Sequence, residues 1–451
     1  MSETLDGETL GLEALAVVAI EGGDVRIATF GRELDGAPVG PSTGFEIGSV
    51  TKALTGLLLA DLIDAGRVEA DTTLAEATRG TLELEGEGAR TELARLARHR
   101  AGWPRLPVAM LPRAILLPLG ARNPYAGGPE EVLRAGAAQD ASRGDQAYSN
   151  LGFAALGNAL AARERTDYGS LLRRRVLDPL EMHDTHVLGT DDPLPDRRVR
   201  GRDSAGRIVE PWRASGWQPA GVGVWSTAAD LSRLAAAVLA GTAPGIGATE
   251  PPLEDGGRNR LGYGWWVSDV GDREVLWHNG GTGGFRAWFG LSRADGRGVA
   301  VMSNTTRDVD ALGLHLLTTD PVPDGRGPSS SMLAPLRWMD IAFALLIAYG
   351  TAVTLLRSVR HLRHGRADRQ SLVRGVASAV STLALARVIV AWERVPVWLW
   401  SFGAGLTLAS LILVSLARST TPVSGGARPM RRRLVTALAV AWSASLVALT
   451  L

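Results

Sequence analysis

Apolar positions along the chain fall into distinct regimes. Ala14–Ile20 is apolar throughout, Val25–Phe30 is a second β-type run, and Glu21-Gly22-Gly23-Asp24 separates them, which predicts a β-hairpin. Ser49–Ala65 is apolar on nearly every turn and closes with Gly66, the pattern of a buried helix. From about Thr72 to Asp255, Ala/Leu/Arg helical stretches alternate with Pro/Gly loops. Three short β-type runs follow, Glu274–Trp277, Phe285–Leu291 and Gly298–Ser303, and the amphipathic piece Val309–Leu317 ends the unit. Strands at both ends with helices between predict an α+β body whose sheet is assembled from N- and C-terminal segments.

Beyond that body the pattern changes. Residues 318–334 are rich in Pro, Gly and Ser and read as a linker. Apolar stretches follow at Trp338–Leu356, Gly375–Trp392, Val395–Ala417 and Leu434–Leu451, each near the ~20 residues that a spanning helix requires. The expected organisation is a body over 1–317, a linker over 318–334 and a helical membrane domain over 335–451. Arg357, Arg360, Arg363, Arg366 and Arg369 lie between the first two stretches, and Arg418, Arg428, Arg431, Arg432 and Arg433 between the last two. The positive-inside rule sets these segments in the cytoplasm and the N-terminal body outside. The first residues carry no basic n-region and no clean apolar core, so no secretory signal is read there. An extracytoplasmic body therefore carries the expectation of a start upstream of Met1.

Charge sharpens this division. The formal net charge of +1 over 451 residues hides a tail from Pro335 with 14 Arg against three acidic residues, and a body with 34 basic against 44 acidic. An acidic body excludes general nucleic-acid binding, whereas a basic apolar tail suits a membrane. Absence of Cys excludes disulfides, a thiol nucleophile and Cys-ligated metal or iron–sulfur centres. Lys52 is the only lysine; the other 47 of the 48 basic residues are Arg. A guanidinium cannot give up its proton, but an ammonium can when buried or crowded by charge.

That lysine stands in Ser49-Val50-Thr51-Lys52, at the start of the apolar helix. A spacing of three sets Ser49 and Lys52 on one helical face, at an N-terminus rich in free backbone N–H groups. The same four residues also fit a capping serine followed by a solvated lysine. Tyr148-Ser149-Asn150 precedes a second apolar helical run, offering a proton acceptor and a carboxamide from one turn; a buried tyrosine with a capping Asn150 is equally consistent. His278-Asn279-Gly280-Gly281, between two β-type runs, belongs to a segment with four glycines among eight residues. It reads as a backbone that a ligand approaches closely, or as a glycine-rich hairpin with an incidental His278.

Together these three elements resemble the serine β-lactamase and penicillin-binding-protein superfamily, in particular its class C β-lactamase, D-alanyl-D-alanine carboxypeptidase and esterase branch. Its related members carry S-x-x-K, S-D-N and K-T-G. Lesser segments match in order: Leu96–Pro104 with His99 and Gly102, Pro179–Thr185, Gly223–Leu231 and Tyr263–Trp266. The likeness covers about residues 12–318 and leaves out the tail. It implies a β-lactamase-like antiparallel sheet flanked by helices with an all-helical subdomain, followed here by a bundle of about four transmembrane helices.

The resemblance also implies acyl transfer without cofactor or metal. Ser49 is the implied nucleophile, with Lys52 and Tyr148 as a coupled base sharing one proton near neutrality. Backbone N–H groups of Ser49 and Gly281 form the implied oxyanion hole, each donor worth ~3 kcal/mol. Asn150 holds a substrate amide and orients Lys52, while His278 and Gly280 line the substrate site. His278 stands where the family has lysine, which implies a weaker or pH-dependent cation and leaves room for esterase or peptidase activity beside β-lactam hydrolysis. Expected partners are a small-molecule or peptide substrate, cell-wall-derived compounds among them, and the lipid bilayer, with no nucleic acid. A second reading is a membrane-tethered sensor that binds penicillin or peptidoglycan without turnover.

Overall fold

A strand buried on both faces needs apolar residues at successive positions, and Ala14–Ile20 supplies them. The structure, a computed structural model, describes residues 13–110, 123–140, 146–203, 206–251 and 259–318, all within one compact unit. Its strands are β1 (Leu15–Glu21), β2 (Asp24–Phe30), β3 (Phe45–Glu46), β4 (His186–Val187) and β5 (Val224–Ser226). They continue with β6 (Asn259–Leu261), β7 (Trp266–Val270), β8 (Arg273–Gly281), β9 (Arg286–Ser292) and β10 (Arg297–Ser303). The helices used below are α1 (Thr51–Asp64), α2 (Leu74–Thr78), α3 (Leu93–Ala97) and α4 (Pro129–Ala137). After them come α5 (Asn150–Arg163), α6 (Tyr168–Leu172), α7 (Ala228–Leu239) and α8 (Asp310–Thr318).

Seven strands form one antiparallel sheet in the order β2-β1-β10-β9-β8-β7-β6. The N-terminal hairpin therefore joins the C-terminal strands, as the apolar pattern predicts, with Leu15 opposite Ser303 and Glu21 opposite Arg297. β1 is buried almost along its length: Ala16, Val18 and Ile20 face the main core, and Leu15 and Val17 face a second cluster with Trp277, Trp288 and Val301. Edge strand β2 is largely exposed, which is why its apolar run is interrupted. α7 packs against β1 and β10, and α8 against β9 and β10. α1 to α6 make the helical part, with α5 packed against α2, α3 and α4.

Two parts of the sequence reading change. The third β-type region is longer than expected, because β8 runs on through His278–Gly281, so these residues pair with β9 instead of forming a loop between strands. A second antiparallel sheet, β3-β5-β4, escapes any periodicity because its strands are two or three residues long. No helix among the described residues is long and apolar enough to cross a membrane. The expected linker over 318–334 falls outside the described residues apart from Thr318, and the helical membrane domain over 335–451 does so entirely.

Candidate active site

The backbone just before α1 turns tightly through a short 3₁₀ segment, Gly48–Val50. Gly48 has φ +50°, and a Cβ there would lie 2.7 Å from Gly281 N, so only glycine lets β8 come this close. Gly280 abuts the same segment: its added Cβ would sit 2.0 Å from Ile47 O and 3.2 Å from Ser49 N. The glycines of the third motif therefore admit the serine-bearing backbone, and the amides of Ser49 and Gly281 are brought to one place.

Ser49 does not cap α1; the residues flanking the helix start make no side-chain cap. Its Oγ lies 2.8 Å from Lys52 Nζ, which also donates to the Ala220 carbonyl at 2.7 Å. Lys52 is fully buried, so the capped-serine, solvated-lysine reading does not hold. Both polar partners are neutral. Burial, reinforced by the Arg105 charge, holds the Lys52 ammonium well below its ordinary 10.5.

Tyr148 is half-buried, with its ring centroid 5.0 Å from Lys52 Nζ. Burial pushes its phenol up to about 12, outweighing the opposing Arg105 charge and a hydrogen bond to Ser49. Desolvation favours the neutral forms of both groups, so the one proton expected to be shared by Lys52 and Tyr148 resides on the phenol in the empty site, where the expectation had a lowered Tyr148. The cap of α5 is Ser149, whose Oγ accepts from Gly152 N at 2.9 Å, and not Asn150.

Asn150 Nδ2 donates to Tyr125 Oη at 2.8 Å, while its buried Oδ1 has no hydrogen-bond partner among the described residues. It does not orient Lys52, contrary to expectation; Ala220, 168 residues away along the chain, takes that part. An unpaired buried carbonyl costs about 1–3 kcal/mol unless a ligand N–H meets it.

His278 is completely buried, and burial, with Lys52 adding to it, lowers its imidazole to about 3. Of the expected weaker or pH-dependent cation, burial supports the weaker: the imidazolium form of His278 is disfavoured. Its Nδ1 lies 2.6 Å from the Asn279 carbonyl, which only accepts, so Nδ1 carries the proton and Nε2 is an acceptor. His99 has the opposite arrangement. Its Nδ1 accepts from Ser149 N at 3.1 Å, so Nε2 carries the proton, and its ring lies 4.4 Å from that of Tyr148. Burial, then the Lys52 charge, keeps His99 well below its ordinary value.

The Leu96–Pro104 segment is tied to the second motif from both sides. His99 O accepts from Ala147 N at 2.8 Å, and Pro104 O from Ser149 Oγ at 2.8 Å. Two other family-like segments meet elsewhere: Thr185 bonds Ser226 Oγ at 2.9 Å and donates to Asp230 at 2.8 Å. Sequence reasoning overlooked Tyr125, Arg105 and Glu46 as site neighbours. Glu46 is buried three residues before Ser49, accepts from Trp212 N at 3.0 Å, and is raised by burial to about 7. Its closeness to the serine was the available signal; Tyr125 had none.

Residues 6–318 match the family described as Beta-lactamase. The chain belongs to the beta-lactamase family. It is 28% identical over 227 residues to a D-alanyl-D-alanine-carboxypeptidase/endopeptidase of Escherichia coli strain K12, covering 49% of this chain and 56% of that protein. An unguisins hydrolase of Aspergillus campestris is 25% identical over 358 residues, covering 70% and 64%. The chain thus spans about half the length of the first of these relatives and less than two thirds of the second. In fold it is similar to a class C beta lactamase from Rhodobacter sphaeroides, with TM-score 0.57, 18% identity, and coverage of 69% of this chain and 96% of that one. A D-stereospecific amidohydrolase from Streptomyces gives 0.56 at 20% identity, covering 68% and 94%. Membership of the beta-lactamase family is consistent with a serine hydrolase.

Proposed function

We propose that this beta-lactamase-family protein hydrolyses an amide, peptide or ester through an acyl-enzyme on Ser49. The observation that carries the reading is the buried Lys52 amine 2.8 Å from Ser49 Oγ with neutral hydrogen-bond partners. Ser49 Oγ bonds to the substrate carbonyl carbon while its proton passes to Lys52 Nζ. The resulting oxyanion is held by the backbone N–H groups of Ser49 and Gly281, preorganised donors worth ~3 kcal/mol each. As the bond to the leaving group breaks, that group takes the Tyr148 proton, and the Lys52 ammonium restores it. Water then attacks the acyl carbon, gives its proton to the same pair, and Ser49 departs as the hydroxyl. Asn150 Oδ1 accepts a substrate N–H, which favours an acylamino or peptide substrate over a simple ester.

The reading extends to the tail. Residues 335–451 anchor the hydrolase in the membrane through about four spanning helices, and the Arg-rich connections hold the catalytic body on the extracytoplasmic side. The apolar stretches and charge asymmetry of the sequence support this, and a topology reporter fused after Ala334 tests it.

The chemistry is tested with a neutral fluorophosphonate and a panel of chromogenic cephalosporin, short-chain esters and D-Ala-D-Ala peptides. Wild type should be labelled and should turn over at least one substrate, while Ser49→Ala and Lys52→Arg, folded by circular dichroism, should not be labelled. Undiminished labelling of either variant removes the mechanism. Labelling without turnover of any class would instead indicate a sensor.

A further inference from the structure

At the third motif the family's usual cation is missing, since His278 is buried and neutral. Lys52 is sealed from solvent. Arg286, beside Gly281, is committed to the turn carbonyls of Thr282 and Phe285 at 3.1 and 3.0 Å. Arg105 stands differently. Its guanidinium lies 5.6 Å from the Tyr148 ring centroid on an exposed side chain, and it has no carboxylate partner among the described residues.

The backbone beneath it is held on both sides of Ser149. The Pro104 carbonyl accepts from Ser149 Oγ at 2.8 Å, and the Arg105 carbonyl accepts from Leu151 N at 3.3 Å. The charge is felt by Lys52, Tyr148 and Tyr125, so it faces the site and not bulk solvent alone. The Arg105 charge disfavours the ammonium form of Lys52, and an exposed cation with no carboxylate partner among the described residues can pair with an incoming anion. Its guanidinium also has the planar fork that pairs with a carboxylate.

We infer that Arg105 is a specificity-determining residue that selects substrates bearing a carboxylate in the acyl portion, next to the carbonyl attacked by Ser49. Recognition of the anion thereby comes from the loop that braces the second motif instead of from the third-motif strand. Asn150 Oδ1, bonded through its own amide to Tyr125, receives the N–H of the same acyl portion. The preferred substrate class is an acidic acylamino compound.

This inference rests on the acyl-transfer reading, and the experiment separates the two. Initial rates are measured with the mono-p-nitrophenyl ester of glutaric acid and with p-nitrophenyl valerate, similar in length and different in charge. Wild type is expected to favour the anionic ester by roughly 10- to 100-fold in kcat/KM, the range of one charge-assisted pair. Arg105→Gln should bring the ratio near one, chiefly by raising KM for the glutarate ester. Arg105→Lys should keep part of the preference, and Arg105→Glu should transfer it to the cationic 5-aminovalerate ester. A wild-type ratio near one, or the same ratio in Arg105→Gln and Arg105→Glu as in wild type, overturns the inference. Labelling of wild type but not Ser49→Ala by the neutral fluorophosphonate reports on the acyl-transfer reading independently of that ratio.

Discussion

Replacing Gly280 by alanine adds one methyl group at the contact between β8 and the serine-bearing turn. That carbon would stand 2.0 Å from Ile47 O and 3.0 Å from Ile47 C. Both are backbone atoms, so no side chain can swing away, and restoring a tolerable contact requires about 1 Å of separation between strand and turn. Displacement of that size typically costs about 100-fold in rate, and loss of one oxyanion donor about 10²–10³-fold. The expected effect of Gly280→Ala is therefore a 10²–10³-fold fall in kcat and in fluorophosphonate labelling, about 3–4 kcal/mol of transition-state stabilisation. Overpacking adds about 1–3 kcal/mol of lost stability. Gly281→Ala is the control, because its methyl would meet the Arg286 guanidinium at 2.7 Å, the far end of a flexible side chain. It should remain within about tenfold of wild type. The measurements are stopped-flow labelling, steady-state ester hydrolysis and thermal melting. A Gly280→Ala protein within tenfold of wild type, or a Gly281→Ala protein equally impaired at unchanged Tm, would refute the steric argument.

Titration supplies two further expectations. Burial, with Asp308 adding to it, raises the carboxyl of Asp310 to about 7, and Asn279 Nδ2 donates to it at 2.6 Å. The folded state then binds more protons than the unfolded state between the ordinary carboxylate value and about 7, so this group's contribution to stability falls as pH rises through that window. The Tm of Asp310→Asn minus that of wild type should increase from pH 5 to pH 8, and a flat difference would contradict the burial argument. Labelling of Ser49 should rise with pH as Lys52 loses its proton and then hold level to pH 10, because Tyr148 keeps its proton to about 12. A decline between pH 8 and 10 would show a phenol that ionises far earlier.

Much of the site was legible because its first part is local. Ser49 and Lys52 are three residues apart on one helical turn, and Lys52 stands alone in an Arg-based chain. The sheet was legible where strands are long, as in Ala14–Ile20 and Gly298–Ser303, which fall in one sheet as expected and there pair directly. What remained hidden depends on contacts far apart in sequence. Ala220 holds Lys52 from 168 residues away, and His99 receives the Ser149 amide from 50 residues away. The protonation of His278 and Tyr148 was hidden for the same reason, whereas the lowered Lys52 follows as expected from burial and a neighbouring charge. Nothing in His278-Asn279-Gly280 announces complete burial, and burial decides the charge of His278 as well as of Lys52 and Tyr148. The two- and three-residue strands of the small sheet carry too few positions to show any period.

The pairing of Leu15 with Ser303 also governs assembly on the ribosome. β1 emerges well before its inner neighbour β10, the last of the described strands and about 280 residues later, so the hairpin must wait with an apolar face uncovered. Such long loop closures slow folding and expose nascent chains to misassociation. A chain interrupted between α1 and β8 would possess the serine helix but lack the strand that walls its hydroxyl, so partial synthesis yields no partly competent hydrolase.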